Sequence, residues 1–134
     1  MKVADLMQTD VHTVTADMPV SEAIVALEDG RISGLPVVDA RNRVVGVVSS
    51  TDIIGAQAET HSPEEQRILL EDTRVQDIMT PRPLLIEPDA DVAEAARHML
   101  YAEVHRLFVE DKGVLVGVIS QTDIVQAVAT GKLA

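Results

Sequence analysis

The chain has 134 residues, enough for one ordinary domain or for two half-sized units sharing a core. Its net charge of −11 disfavours nucleic acid, whose affinity comes largely from phosphate neutralisation by Lys and Arg, and it repels an anionic membrane surface. Tyr101 and Phe108 are the only ring hydrophobes, so aliphatic residues must fill the core and the stacking platforms of single-strand binders are missing.

No apolar run approaches the roughly 18–20 residues of a membrane span. The opening MKVADLMQTD lacks a signal-peptide core. With no cysteine there is no disulfide framework and no thiolate chemistry, and a reducing cytoplasm is the expected location.

Taken in chain order, Val3-Ala-Asp-Leu-Met7 is followed by a short extended piece, His12–Thr15. Val20, Ala23, Ile24 and Leu27 fall at i, i+3, i+4 and i+7, the spacing of an amphipathic helix, with Pro19 near its start. Two β-branched runs, Leu35–Val38 and Val44–Val48, flank the turn Asp39-Ala-Arg-Asn42 and read as a hairpin. A second helix follows, opened by the capping box Ser49-x-x-Asp52, with Ile53 and Ile54 expected to face inward. Ser62-Pro63-Glu64-Glu65 is a further capping box, predicting an exposed connector helix to about Glu71 anchored by Ile68, Leu69 and Leu70.

The rest of the chain repeats this order. Val3–Met7 is matched by Val75-Gln-Asp-Ile-Met79, and Asp17, Val20, Glu22 and Ala23 by Asp89, Val92, Glu94 and Ala95. The second extended piece is Leu84–Glu87, and its helix carries Val92, Ala95, Ala96 and Met99, with Asp91-x-x-Glu94 expected to cap it. The second hairpin is Leu107–Val109 with Val114–Ile119 across Asp111-Lys-Gly113, a turn shorter by one residue. The closing phrase VVGVVSSTDII, residues 44–54, returns as LVGVISQTDIV, residues 115–125, with Ile124, Val125 and Val128 expected to face inward. The chain is a duplicated β-α-β-β-α unit, of the α+β class.

These residues resemble the CBS domain, named after cystathionine beta-synthase, and two in tandem resemble the CBS pair, or Bateman module. The likeness rests on Asp-Ile-Met-Thr80, Pro83 to Pro88, Val92-x-Glu94-Ala95, His105-Arg106-Leu107 and the closing Gly-x-[Val/Ile]-Ser-x-x-Asp phrase. It gives residues 1–58 as the first domain, 59–74 as a helical connector and 75–131 as the second domain. The resemblance implies two repeats packed sheet to sheet about a pseudo-twofold axis. It further implies clefts binding AMP, ADP, ATP or S-adenosylmethionine, a homodimeric four-unit disc, and a regulated partner protein. No enzymatic activity, required cofactor, metal, nucleic acid or membrane partner is expected.

Family position assigns ribose hydroxyls to Asp52 and Asp123; the same residues are also plain helix caps, and both roles are compatible with one carboxylate. Phosphate falls to His105 and Arg106, whose planar guanidinium engages two oxygens, with Ser49, Ser120, Thr51 and Thr122 at the helix starts. The corresponding first-repeat pair is the uncharged Ser33-Gly34, so the two sites should be unequal. Adenine contacts are assigned to Thr13, Val14, Ile32, Leu85, Ile86 and Val104, each of which also reads as core. The alternative function is an interaction module without a ligand, its Ser-x-x-Asp phrases serving as caps alone. The histidines show no metal-ligand spacing and no Gly-x-x-x-x-Gly-Lys loop is present.

Overall fold

A computed structural model describes residues 1–81 and 83–132. Its helices are α1 (Val3–Leu6), α2 (Val20–Gly30), α3 (Ser50–Ala58), α4 (Pro63–Glu71), α5 (Val75–Ile78), α6 (Val92–Ala102) and α7 (Gln121–Ala129). Its strands are β1 (Val14–Thr15), β2 (Gly34–Val38), β3 (Val44–Ser49), β4 (Thr80–Pro81), β5 (Leu85–Ile86), β6 (Arg106–Asp111) and β7 (Val114–Ser120). The α+β expectation holds, with one sheet ordered β1-β2-β3-β4 and another ordered β5-β6-β7.

The chain divides into two compact units, and neither is a contiguous copy of the repeat. One is His12–Pro83; the other joins Met1–Val11 to Leu84–Ala134. The opening segment of each repeat therefore belongs to the unit built around the other. Backbone hydrogen bonds explain the preference. Val3 and Ala4 N–H donate to the carbonyls of Ala90 and Pro88 at 2.8 and 2.9 Å, and Val75 and Gln76 do the same to Met18 and Ala16 at 2.8 and 2.9 Å.

Each unit has one aliphatic core, and the two cores match position for position. Val14, Ala23, Leu27, Leu35, Val37, Val48 and Val75 fill the first. Ile86, Ala95, Met99, Leu107, Val109, Ile119 and Val3 fill the second. Phe108 is buried as well, so the sole phenylalanine is a packing residue.

The two hairpins close differently. Asp39 accepts the N–H groups of Arg41 and Arg43 on Oδ1 at 2.9 and 3.0 Å, which organises the longer turn around Asn42 at φ 60°. In the shorter turn Lys112 and Gly113 both take positive φ, 53° and 81°, between the paired residues Asp111 and Val114. That is the two-residue turn whose twist suits a hairpin, and it absorbs the deletion.

Three local expectations are corrected. Ile54, Val125 and Val128 face solvent, at 69, 65 and 61% exposure, while Ile53 and Ile124 are half-buried and Ala127 is buried. Successive helical residues point about 100° apart, so consecutive apolar residues cannot all meet one core. On α4 only Leu69 is buried, and Ile68 is exposed. Asp91 occupies the N-cap of α6 but its side chain makes no capping bond; the Val92 N–H is met instead by the Met1 carbonyl at 3.0 Å.

Candidate functional site

Two equivalent side-chain clusters form where a long strand runs into a helix. At the end of β3, Ser49 is still extended and caps α3, its Oγ accepting the Asp52 N–H at 3.2 Å. The Asp52 carboxylate returns along the same path: Oδ2 accepts Ser49 N–H at 2.8 Å and Ser49 Oγ–H at 3.0 Å. At the end of β7 Ser120 caps α7 in the same way, with Asp123 N–H to Ser120 Oγ at 3.2 Å and Ser120 N–H to Asp123 Oδ2 at 2.8 Å. Two of a helix's otherwise unmet N-terminal N–H groups and strand-end donors are satisfied reciprocally.

The second oxygen of each carboxylate is held by a residue far away in sequence. Thr80 Oγ1 donates to Asp52 Oδ1 at 2.9 Å, and Gln8 Nε2 donates to Asp123 Oδ1 at 3.1 Å. Thr80 pairs with Val47 in the β3–β4 ladder, and Gln8 bridges Val118. Sequence reasoning did not assign Gln8 or Thr80 to the site. The available signal was their shared place immediately after Asp-[Leu/Ile]-Met in the two repeats.

The backbone of His105 and Arg106 runs alongside the second cluster. Arg106 begins β6 directly opposite Ser120, and the His105 carbonyl accepts the Gln121 N–H at 2.9 Å. His105 is exposed and Arg106 half-buried. Val104 lies at the same entry, its carbonyl accepting Gln121 Nε2 at 3.5 Å. The first cluster is built alike from Gly34 opposite Ser49 and Ser33 O bonded to Ser50 N–H at 2.9 Å, without a cation at either position. The hydroxyl-bearing Thr51 and Thr122 sit in the first turns of α3 and α7, exposed.

The six apolar or extended-piece candidates are less uniform. Thr13 is exposed, Ile32, Leu85 and Val104 are half-buried, and Val14 and Ile86 are core residues at 1 and 6% exposure. Ile32 and Val104 follow helix ends closed by left-handed Arg31 and Glu103, and each N–H reaches back five residues, to Leu27 and Met99 at 3.2 and 3.1 Å. Within the unit containing residues 84–132, Leu85 and Ile86 line an open depression of about 340 Å³ with Glu87, Glu94 and His98. Asp123 lines a different one, about 210 Å³, with Asp5, Gln126, Thr130 and Lys132. Leu85 and Ile86 and the Asp123 carboxylate thus line separate depressions. No helix among the described residues is long and apolar enough to cross a membrane.

The sequence matches the CBS domain over residues 3–59 and again over 75–130, and the chain belongs to that family. It is 33% identical over 139 aligned residues to the chloroplastic CBS domain-containing protein CBSX1 of Arabidopsis thaliana. The alignment takes in 88% of this chain and 59% of CBSX1, so the chain spans little more than half of that relative's length. The structure of Arabidopsis CBSX2 in complex with AMP superposes with a TM-score of 0.82 at 30% identity, covering 98% of each chain. The CBS domain pair of protein MJ0100, in complex with 5′-methylthioadenosine and S-adenosyl-L-methionine, gives a TM-score of 0.78 at 25% identity, again covering 98% of each chain.

Proposed function

We propose that the chain is a regulatory module that binds an adenosine compound, with AMP, ADP, ATP and S-adenosylmethionine as candidates, and passes its occupancy to a partner protein. The observation that carries this reading is the carboxylate built twice in one geometry, at Asp52 and Asp123. An ionised carboxylate has about four acceptor positions. Among the described residues Asp123 receives two donors, Ser120 N–H and Gln8 Nε2, and so keeps capacity for both hydroxyls of a ribose. Asp52 receives three, from Ser49 N–H, Ser49 Oγ and Thr80 Oγ1, leaving room for one more. Arg106, paired with Ser120 across the β6–β7 ladder, supplies a positive charge suited to a phosphate, with His105 next to it and Ser120 and Thr122 at the adjoining helix start. The stronger site is therefore the one containing Asp123. The ligands of CBSX2 and of the MJ0100 domain pair support the chemical class.

A thermal-shift panel of AMP, ADP, ATP and S-adenosylmethionine tests it. A ligand at one hundred times its dissociation constant adds about 2.7 kcal/mol of stability. Asp123→Ala should remove most of the shift and Asp52→Ala a smaller part. No shift with any of the four at millimolar concentration overturns the reading. The module is further proposed to pair with a second copy. The solvent-facing Ile54, Val125 and Val128 support this, and sedimentation velocity at micromolar concentration reads it directly.

A further inference from the structure

Resting on the reading that Asp52 and Asp123 accept ribose hydroxyls, we infer that Gln8 and Thr80 are positioning residues for that interaction. The terminal torsion of an aspartate is broad and nearly two-fold, so anchoring Oδ2 alone leaves the carboxylate plane loosely defined. The cap anchors only Oδ2 in each repeat, through Ser120 N–H at 2.8 Å for Asp123 and through Ser49 N–H and Oγ–H at 2.8 and 3.0 Å for Asp52. A second donor on Oδ1, Thr80 Oγ1 or Gln8 Nε2, fixes the plane and aims the remaining acceptor positions. A group already held in its binding orientation loses less freedom when ligand arrives.

The arrangement is made independently in each unit, by different chemistry. Gln8 and Thr80 follow equivalent methionines, Met7 and Met79, and lie against equivalent strand positions, Val118 and Val47. The approach is close because the preceding strand residue is glycine. A Cβ on Gly46 would sit 2.9 Å from the Thr80 carbonyl oxygen, and one on Gly117 2.9 Å from that of Gln8. One position carries a hydroxyl and the other a carboxamide, yet both deliver a donor to Oδ1. What the two share is the donated hydrogen bond.

Isothermal titration of the full chain with AMP and with 2′-deoxy-AMP tests the role, using Thr80→Val, Gln8→Met and the double variant. The double variant should bind AMP about tenfold more weakly, the effect of losing one charge-assisted hydrogen bond's worth of orientation. Its preference for AMP over 2′-deoxy-AMP should shrink in parallel, while Thr80→Ser keeps the wild-type preference. Urea midpoints without ligand register any purely structural cost, and Gln8→Glu, which sets a carboxylate against Asp123, serves the same readout should Gln8→Met lose its fold. A wild type that prefers AMP and a double variant with the same preference overturn the inference alone. Tighter AMP binding by the variants overturns it too, since the donors would then be competitors. A wild type that binds neither nucleotide, nor ADP, ATP or S-adenosylmethionine, overturns the ribose reading and this inference together.

Discussion

Gly117 lies beneath Met7: a methyl group added to the glycine would stand 2.7 Å from the Met7 sulfur and 2.9 Å from the Gln8 carbonyl oxygen. Gly46 has the same relation to Met79 and Thr80, at 2.6 and 2.9 Å. The thioether can move, but the carbonyl is part of the strand pairing and cannot retreat cheaply. Gly46→Ala and Gly117→Ala are each expected to cost about 1–3 kcal/mol, the usual range for overpacking. Gly55 is the internal control, since it lies within α3 with nothing near its missing side chain. Gly55→Ala should stabilise by about 0.5–1 kcal/mol, and urea unfolding of the three variants measures the contrast.

The serine caps have a separate signature. Ser49→Ala and Ser120→Ala each remove the acceptor of a first-turn N–H and should cost about 0.5–2 kcal/mol in urea unfolding. Gly substitutions at the same positions should cost only a few tenths, because glycine leaves the cap open to water. Equal losses for the two would show that the hydroxyls are not capping.

Arg31 and Glu103 end α2 and α6 in the left-handed conformation, at φ 50° and 56°. Glycine is the residue that adopts this geometry without a Cβ penalty. Both side chains are exposed, so little packing is lost on their removal. Arg31→Gly and Glu103→Gly should each raise stability by about 0.5–1 kcal/mol, read as a higher thermal midpoint.

Asp39 gives the chain a pH-dependent turn. Its carboxylate is held below the ordinary value of 3.8, chiefly by the Arg43 backbone N–H, with the Arg41 N–H and the Arg43 side chain adding to the effect against some desolvation. A carboxylate depressed in the folded state stabilises fully above its unfolded value and loses that contribution as pH falls through the folded one. The stability gap between wild type and Asp39→Asn should be level above about pH 4 and narrow below it. A gap unchanged down to pH 2 would mean that the charge contributes nothing.

The repeat made most of this structure readable. Val20, Ala23 and Leu27 faced the core as their spacing required, and so did Val92, Ala95 and Met99. The capped aspartates were visible because Ser49-x-x-Asp52 and Ser120-x-x-Asp123 combine a local rule with recurrence. Periodicity failed where apolar residues were adjacent, at Ile53-Ile54 and Ile124-Val125, because composition does not say which neighbour turns inward. It also could not reveal Gln8 or Thr80. Their partners lie 115 and 28 residues away, and the connection depends on strand pairing across the repeat boundary.

That crossing has a consequence for the order in which the protein forms. The unit from His12 to Pro83 is continuous, so everything it packs has been synthesised before Leu84 appears. The other unit must hold Met1–Val11 in reserve until the last helix arrives, and one of its hydrogen bonds joins residues 115 apart. Contacts of long sequence separation are slow to form. On the ribosome the middle of the chain should acquire protection from proteolysis first, and its two ends should acquire it last and together.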